Sequence, residues 1–318
     1  MIRHTPSGRR LFGLSLAFLS SLIWGTIPIL WKLLVQWIDV YTLAGTRFLV
    51  AGLLLLPIFS RRHGLSVLRK AAGLPVLMCV ATVGLCGNYF TYMTSLRFIS
   101  PGAAQAVIQL TPVFVLFGGL LIFREPFTRM QWLGFSILVV GLGLFFRPRY
   151  DAMMADSGMY GWGLVLVVIA AILWAVYFLS QKQLQLVLPP EAVLFLIYGA
   201  GFVIFLPIGD PGQLTALDAV QITLLFVSCV LTVISYVAFG LALNHVEASR
   251  TGVLVALTPL IAMANTRVWA PFFPDLLKPD QLDGLAWFGA GMVVAGSMLG
   301  ALGTIKPQTA AVPATDND

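Results

Sequence analysis

The residues best suited to bind a polar ligand are basic side chains that lie inside or beside apolar stretches. Arg47 and Arg267 fall within such stretches, and Lys32 and Lys182 end two others. A charged side chain near the bilayer centre costs about 2.5–3.5 kcal/mol on insertion scales, so it needs a partner or a water-filled cavity. Arg267, close to Asn265, is a candidate to bind a carboxylate through two hydrogen bonds, or else a residue of the fold. Arg47 is expected to hold its helix in the bundle.

Lys32 and Lys182 occupy equivalent places in two similar segments. Trp24 lies eight residues before Lys32, and Trp174 lies eight residues before Lys182. Residues four apart stack on a helix, so each tryptophan shares a stripe with its lysine. One interpretation is a pair of cationic gates for an anionic or zwitterionic substrate, with the tryptophans as aromatic walls. The other is that each lysine extends its ammonium group to the lipid headgroups.

A second set of candidates combines tyrosine and amide side chains at mid-helix positions. Asn88, Tyr89 and Tyr92 belong to one helix-length segment, Tyr236 to its later counterpart, and Gln109 to the segment that follows Tyr92. Hydroxyl and amide groups both donate and accept hydrogen bonds, which suits a zwitterionic substrate. We therefore expect part of this set to line a substrate cavity. The alternative is packing, since aromatic residues of membrane helices are often core or interfacial residues.

These candidates recur because the chain repeats itself. The segments that begin at Tyr89 and at Tyr236 each reach a Leu-Thr-Pro sequence after the same spacing, ending at Pro112 and at Pro259. An apolar pattern of helix length that recurs in each half is typical of duplicated transporter folds. Each proline is predicted to lie within a helix, where it removes a backbone hydrogen bond and acts as a hinge. A static kink is the alternative.

The composition excludes a water-soluble domain. Of the 318 residues, 59% are hydrophobic and 10% are charged, whereas a soluble domain carries about 25% charged residues. The net charge of +6 lies mostly in loops and bears on membrane topology, not on nucleic acid. Cys79, Cys86 and Cys229 lie in apolar stretches without metal-ligand spacing. No metal, cofactor or nucleic-acid partner is therefore expected.

The hydrophobic pattern predicts an all-α integral membrane protein. A helix crosses the hydrocarbon core in about 20 residues, and on that measure ten spans are predicted at 11–31, 40–59, 71–92, 102–123, 131–147, 160–180, 191–208, 218–241, 251–271 and 284–303. Lysine and arginine concentrate at the N-terminus and after even-numbered spans, so both termini are predicted to be cytoplasmic.

Five spans in each repeat is an odd number, so the second copy must enter the membrane from the opposite side. The repeats are then inverted, with a substrate site at their interface near mid-depth. We expect a first five-helix repeat over 11–147, a second over 160–303, and a disordered cytoplasmic tail over 304–318.

Glycines recur in spans 5 and 10, which are equivalent helices of the two repeats. They are Gly134, Gly141 and Gly143 in the first, and Gly289, Gly291, Gly296 and Gly300 in the second. Small residues let membrane helices approach closely, so we expect these glycines to pack helices. A homodimer seam is the alternative.

Four features occur together along the chain: Trp24-Gly25, Arg47, Leu110-Thr111-Pro112, and Glu125 followed by Gln131. With them the chain resembles the EamA family of the drug/metabolite transporter superfamily, over nearly its whole length. The resemblance implies a ten-helix carrier of two inverted repeats, in which helices 1, 3, 4, 6, 8 and 9 line the central cavity. Many members export amino acids and other small metabolites. One departure is that Phe272 stands where the first repeat has Glu125.

The sequence thus predicts a multi-pass carrier of the bacterial inner membrane that moves small polar metabolites, foremost amino acids or related compounds, by alternating access. Export is implied by the resemblance alone. The alternative is a flippase or a carrier of lipid-linked or organic-anion cargo. An enzyme is not expected, because the histidines, His4, His63 and His245, lie at or outside the predicted membrane ends. The expected partners are a small-molecule substrate and the lipid bilayer, and the chain is a monomer or a homodimer.

Overall fold

The regular secondary structure is helical, as the composition predicts. The computed structural model describes residues 10–62, 64–123, 128–149, 158–246, 253–279 and 282–302, and no strand occurs in these ranges. The helices are α1 (Arg10–Leu34), α2 (Val40–Arg62), α3 (Gly64–Ala72), α4 (Pro75–Ser95), α5 (Pro101–Ile108), α6 (Thr111–Phe123), α7 (Arg129–Phe146), α8 (Met159–Leu184), α9 (Pro190–Phe205), α10 (Ala219–His245), α11 (Thr258–Trp269) and α12 (Gly284–Leu302). Short 3-10 turns lie at Arg147–Arg149, Pro211–Ala216 and Ala270–Phe272.

Many of these helices have the length and composition of membrane spans. Within the described residues, eight stretches are long and apolar enough to cross a membrane, one of them Val253–Phe272, which contains α11, and Glu191–Phe205 is a shorter apolar helix. Their exposed surfaces carry large aliphatic and aromatic side chains such as Leu53, Val83, Trp132 and Phe226. Apolar side chains on the outside suit lipid as the solvent. Glu125 and the predicted tail over 304–318 lie outside the described residues.

The segment predicted as one helix over 102–123 is two helices. α5 ends at Ile108, a turn covers Gln109 and Leu110, and α6 begins at Thr111 with Pro112 in its first turn. Proline fits the first turn because the N–H groups there have no acceptor within the helix. The prediction that Pro112 lies within a continuous helix is therefore wrong, and the chain breaks before it.

The later Leu-Thr-Pro sequence is built in the same way. A turn at Ala256 and Leu257 precedes α11, and Pro259 lies in its first turn. Leu257 N donates to Leu254 O at 3.1 Å, as Leu110 N donates to Val107 O at 3.0 Å. Equivalent sequences in the two halves thus produce equivalent helix interruptions, and Pro259 also begins a helix instead of lying inside one.

The most extensive helix contacts join the first half of the chain to the second. They are the contacts of α7 with α12, α4 with α8, α1 with α10, and α2 with α9. The α4–α8 and α1–α10 contacts exchange under the repeat alignment, and so do the α1–α11 and α6–α8 contacts. The buried core therefore lies between the two halves, where side chains from both meet.

Glycines bring α7 and α12 into close backbone contact, which confirms the packing interpretation for Gly134, Gly141, Gly289 and Gly296, whereas a Cβ on Gly143, Gly291 or Gly300 would meet nothing within 4 Å. A Cβ atom on Gly296 would lie 2.6 Å from Gly134 O, and one on Gly289 would lie 2.7 Å from Gly141 O. Such distances leave no room for a side chain. These four glycines therefore serve contacts within a single chain.

Side-chain caps fix where several helices begin. Thr128 and Gln131 form a capping box at α7, and Asp218 and Gln221 form another at α10. At α2, Asp39 Oδ1 accepts hydrogen bonds from the backbone N–H groups of two residues in the first turn, at 2.8 and 2.9 Å. These caps satisfy donors that the helix itself leaves free.

The same region ties together two connecting segments at one end of the bundle, which we call the Asp39 end. Asp39 N donates to Gln213 Oε1 at 2.8 Å, and Asp210 N donates to Thr42 Oγ1 at 2.7 Å. These bonds join the α1–α2 connection to the α9–α10 connection, one from each half. At the opposite end, the start of α1 contacts the end of α10.

Candidate functional site

Arg47 lies inside the bundle between helices of both halves. It is 2% exposed, although it is in the third turn of α2, a helix that is otherwise apolar around it. Its Nη2 donates to Thr232 Oγ1 in the middle of α10. The Thr232 hydroxyl in turn donates to Ser228 O at 2.8 Å. Tyr198 of α9 and Tyr236 of α10 lie close enough to interact electrostatically with the guanidinium.

Aromatic rings form the remaining surroundings of Arg47. Its guanidinium carbon lies 4.0 Å from the centre of the Trp31 ring and 5.2 Å from the centre of the Tyr89 ring. A desolvated cation–π contact contributes about 2 kcal/mol, whereas burying an ion costs several kcal/mol. The rings therefore hold the guanidinium but do not offset its burial.

Polar atoms without partners concentrate around this arginine. Arg47 Nε and Nη1, Trp31 Nε1 and Tyr92 Oη are buried and have no hydrogen-bond partner among the described residues. Native structures pair the great majority of such atoms. All four can donate a hydrogen bond. We call Trp31, Arg47, Tyr89, Tyr92 and Tyr236 the Arg47 cluster; its surface is rich in donors and fits an anionic group.

Tyr89 and Tyr236, which are equivalent in the repeat, meet at this cluster. Their hydroxyl groups interact with each other. The Tyr89 ring lies 4.8 Å from that of Phe48, and the Tyr236 ring lies 5.7 Å from that of Trp24. The structure thus brings together three residues predicted from the sequence, Trp24, Tyr89 and Tyr236, and Tyr92 joins them through its contact with Trp31.

Gln109 connects the two helix interruptions. Its Nε2 donates to Ala256 O at 3.3 Å and to Thr258 Oγ1 at 3.2 Å, and its Oε1 accepts from Ser297 Oγ at 3.0 Å. All of these side chains are buried. Gln109 therefore lies at the interface between the halves, with both ends of its amide engaged by protein groups.

Asn88 holds α4 against α8. Its Nδ2 donates to Ala170 O at 2.9 Å. At the contact of α1 with α10, which is equivalent in the repeat, Ser20 Oγ donates to Ser235 O at 3.1 Å. These hydrogen bonds between α4 and α8 and between α1 and α10 hold the halves together, so one amide N–H of Asn88 is occupied in this conformation.

Lys32 reaches the end of α4 instead of extending away from the bundle. Its Nζ donates to Leu96 O at 2.5 Å and to Ile99 O at 3.2 Å. Carbonyl groups at a helix C-terminus have no N–H donor within the helix, and a cation there also interacts favourably with the helix dipole. In this conformation Lys32 binds backbone carbonyls at the Asp39 end.

The remaining predicted residues lie apart from the cluster. Trp174 stacks on Phe178 with the ring centres 5.4 Å apart. Lys182 belongs to α8, and its side chain lies outside the described part of the structure. Arg267 is exposed, and its guanidinium carbon lies 4.9 Å from the centre of the Trp287 ring. Binding roles for these residues stay predictions.

From the sequence, Arg47 is predicted to hold its helix in the bundle, and Trp31 is not among the predicted site residues. The available signal was the charge of Arg47 in an apolar stretch, which demands either a partner or a ligand. Periodicity could not decide between the two, because the donors left free on Arg47, Trp31 and Tyr92 depend on three helices coming together. Cluster formation is a property of the tertiary structure.

Known proteins resemble this chain over nearly its full length. A transporter of Haemophilus influenzae described as uncharacterized is 30% identical, with 92% of this chain and 95% of that protein covered. The inner membrane transporter YhbE of Escherichia coli K12, also described as uncharacterized, is 31% identical, with 92% and 91% covered. A probable amino-acid metabolite efflux pump of Salmonella typhimurium is 24% identical, with 93% and 97% covered.

The fold and the family agree with these likenesses. A crystal structure that is 17% identical matches with a TM-score of 0.61, covering 94% of this chain and 99% of that one, which indicates a common fold. The family model for EamA-like transporters matches twice, at residues 11–147 and 161–302. The chain is a multi-pass membrane protein, and it belongs to the EamA-like transporter family.

Proposed function

We propose that this protein is a secondary carrier of the bacterial inner membrane that moves small polar metabolites, foremost amino acids and related compounds, out of the cell by alternating access. The proposal includes ten spans in two inverted five-helix repeats with cytoplasmic termini. A transported molecule is not chemically changed, so no catalytic residue is assigned.

The observation that carries the proposal is the meeting of polar groups from both halves between two interrupted helices. Gln109 and Thr258 lie at the interruptions themselves, and Tyr89 and Tyr236 lie in the buried Arg47 cluster. Carriers built from inverted repeats bind substrate at the repeat interface, beside discontinuous helices. The reciprocal contacts of α4 with α8 and α1 with α10 support the inverted arrangement.

Two features support amino acids as cargo. The Arg47 cluster offers hydrogen-bond donors beside aromatic surfaces, which suits a small molecule with a carboxylate and an organic side chain. The relative from Salmonella typhimurium is described as a probable amino-acid metabolite efflux pump. The description as an inner membrane transporter of the Escherichia coli relative supports the location.

The interruptions before Pro112 and Pro259 suit the motion that alternating access requires. A turn between helices changes direction through few backbone dihedrals, whereas a continuous helix must break hydrogen bonds. We propose that one half rocks against the other about these two turns. In the conformation described here, the hydrogen bonds from Asp39 N to Gln213 Oε1 and from Asp210 N to Thr42 Oγ1 join the two halves at the Asp39 end.

Organic anions without an amine are the second candidate cargo, because the four donor atoms of the cluster require only an anionic group. A carrier of lipid-linked anions shares this chemistry. Such a carrier would accumulate none of the soluble probes in a counterflow assay, whereas a carrier of amino acids or soluble organic anions would accumulate at least one.

Counterflow in proteoliposomes tests the proposal. Vesicles that hold the purified full chain are loaded with a mixture of unlabelled L-amino acids, and labelled amino acids are added outside one at a time. We expect transient accumulation of at least one labelled amino acid, absent from vesicles that hold protein unfolded by heat. In vesicles loaded instead with unlabelled succinate or benzoate, accumulation of that labelled acid, without accumulation of any amino acid, would assign the protein to organic anions. Accumulation of no soluble probe by folded protein would overturn the proposed cargo.

A further inference from the structure

A buried arginine with free donors stands at the centre of the candidate site. Arg47 is 2% exposed, and two of its three nitrogen atoms have no partner among the described residues. Among the described residues, the titratable groups that interact with it are tyrosines and Cys229. Neutral phenol and thiol groups do not compensate a full positive charge.

The geometry leaves an edge of the guanidinium without a hydrogen-bond partner among the described residues. Trp31 covers a face of the guanidinium at 4.0 Å, so the edges and not that face remain to be used. Thr232 takes one N–H of Nη2. The second N–H of Nη2 is parallel either to the N–H of Nε or to one N–H of Nη1. Neither Nε nor Nη1 has a hydrogen-bond partner among the described residues. In either case two parallel donors remain, which is the fork that a carboxylate binds.

Two further unpaired donors belong to the Arg47 cluster. Trp31 Nε1 and Tyr92 Oη are both buried without partners, and their rings are 5.8 Å apart at the centres. Three side chains from α1, α2 and α4 therefore present unpaired donors in one cluster. Chance packing leaves single buried donors unpaired, but native structures rarely leave several together.

We propose that Arg47 binds the carboxylate of the transported molecule, with Trp31 Nε1 and Tyr92 Oη as additional donors to it. This inference rests on the proposed function and names the chemical group that the site recognises. A monoanionic carboxylate matches the single guanidinium of the cluster, whereas a phosphate dianion would bring one more negative charge than the cluster balances. The contact of Arg47 with Thr232 on α10 means that the bound carboxylate lies between the two halves of the chain.

Direct binding to the purified full chain tests this inference without requiring transport. The probes are the individual L-amino acids, succinate and benzoate, each compared with its amide, and inorganic phosphate. Thermal unfolding and tryptophan fluorescence in detergent report binding, since Trp31 lies against Arg47. We expect at least one carboxylate to bind at least tenfold more tightly than its amide and than phosphate. If no carboxylate binds, or if its amide binds equally well, the inference is overturned.

Two variants assign the binding to the cluster. Arg47→Gln is expected to lower the affinity for the carboxylate at least tenfold, and the exposed Arg97→Gln is the matched control. Tyr92→Phe guards against misfolding, because the deleted Oη has no partner among the described residues. We expect Tyr92→Phe to leave the unfolding temperature unchanged and to weaken carboxylate binding threefold or more. Unchanged affinity in both variants would overturn the assignment.

The binding and counterflow results separate the inference from the proposed function. Carboxylate binding that requires Arg47, without counterflow, would support the site and contradict the carrier function. Counterflow that amides inhibit as well as acids, and that survives Arg47→Gln, would support the carrier and contradict the site.

Discussion

The amide nitrogen of Gln109 donates a hydrogen bond to Thr258 Oγ1 across 3.2 Å, and this bond joins the turn that ends α5 to the first residue of α11. The two turns are equivalent in the repeat, so the contact lies where the halves meet. Ser297 of α12 completes the arrangement by donating to Gln109 Oε1 at 3.0 Å. A single amide thus connects both helix interruptions to a helix beside them.

Replacing Gln109 is expected to damage this junction. Gln109→Leu removes the donor to Ala256 O and Thr258 and leaves Ser297 Oγ without its acceptor, at a cost of about 1–3 kcal/mol for each buried polar group left unpaired. We expect a lower unfolding temperature in detergent and slower counterflow for each folded molecule. The exposed Gln185→Leu is the control. Equal transport rates per folded molecule would limit Gln109 to a role in stability.

The close contact between α7 and α12 can be tested with two glycines of α12, because one of them lies in the contact and the other does not. A Cβ on Gly296 would lie 2.5 Å from Leu138 N, whereas a Cβ on Gly291 meets nothing within 4 Å. We expect Gly296→Ala to destabilise the protein by about 1–3 kcal/mol, or to prevent its accumulation, since overpacking forces backbones apart. Gly291→Ala should be neutral or stabilising by up to about 1 kcal/mol. Thermal unfolding of both purified variants checks this, and equal effects would contradict the close contact.

The sequence predicts the helices well, because apolar runs of about 20 residues have few alternatives in lipid. It also predicts that the glycines of α7 and α12 pack, since close approach needs small residues. It does not predict that the chain breaks before Pro112 and Pro259. A proline is compatible both with a kink inside a helix and with the first turn of a new one, and the contacts of Gln109 with Thr258 belong to the tertiary structure.

The sequence likewise predicts only part of the candidate site. Tyr89 and Tyr236 are found from the sequence because they are equivalent in the repeat and lie at mid-helix positions. Arg47 has no such partner in the repeat, where Ile197 stands at its place by the spacing of Lys32 and Lys182. Its importance follows from the unpaired donors around it, which three separate helices bring together.

The predicted topology places the Asp39 end outside the cell and the α2–α4 connection inside. Arg97, near the Asp39 end, and Arg69, in α3, are both exposed. In a background with Cys79, Cys86 and Cys229 replaced by alanine, we expect Arg97→Cys to react with a membrane-impermeant maleimide on spheroplasts. Arg69→Cys should react only after permeabilisation. The reverse pattern would invert the topology, and labelling of both without permeabilisation would exclude an odd number of spans between them.

Replacing Lys32 distinguishes a role as a gate from a role in holding two helices together. Its ammonium donates to Leu96 O at 2.5 Å and to Ile99 O at 3.2 Å, so Lys32→Met leaves two carbonyls at the end of α4 without that donor. Hydrogen bonds to charged groups contribute about 1.5–3 kcal/mol, and we expect the unfolding temperature to fall accordingly. Arg97→Met, which changes an exposed residue near the same end, should leave the unfolding temperature unchanged.

Counterflow per folded molecule is the second measurement on Lys32→Met. A helix-holding role predicts a change of less than twofold, because the carbonyl contacts use the ammonium fully in the conformation described. A gate predicts a loss of tenfold or more that Lys32→Arg restores, because the positive charge and not the contact geometry would then attract the substrate.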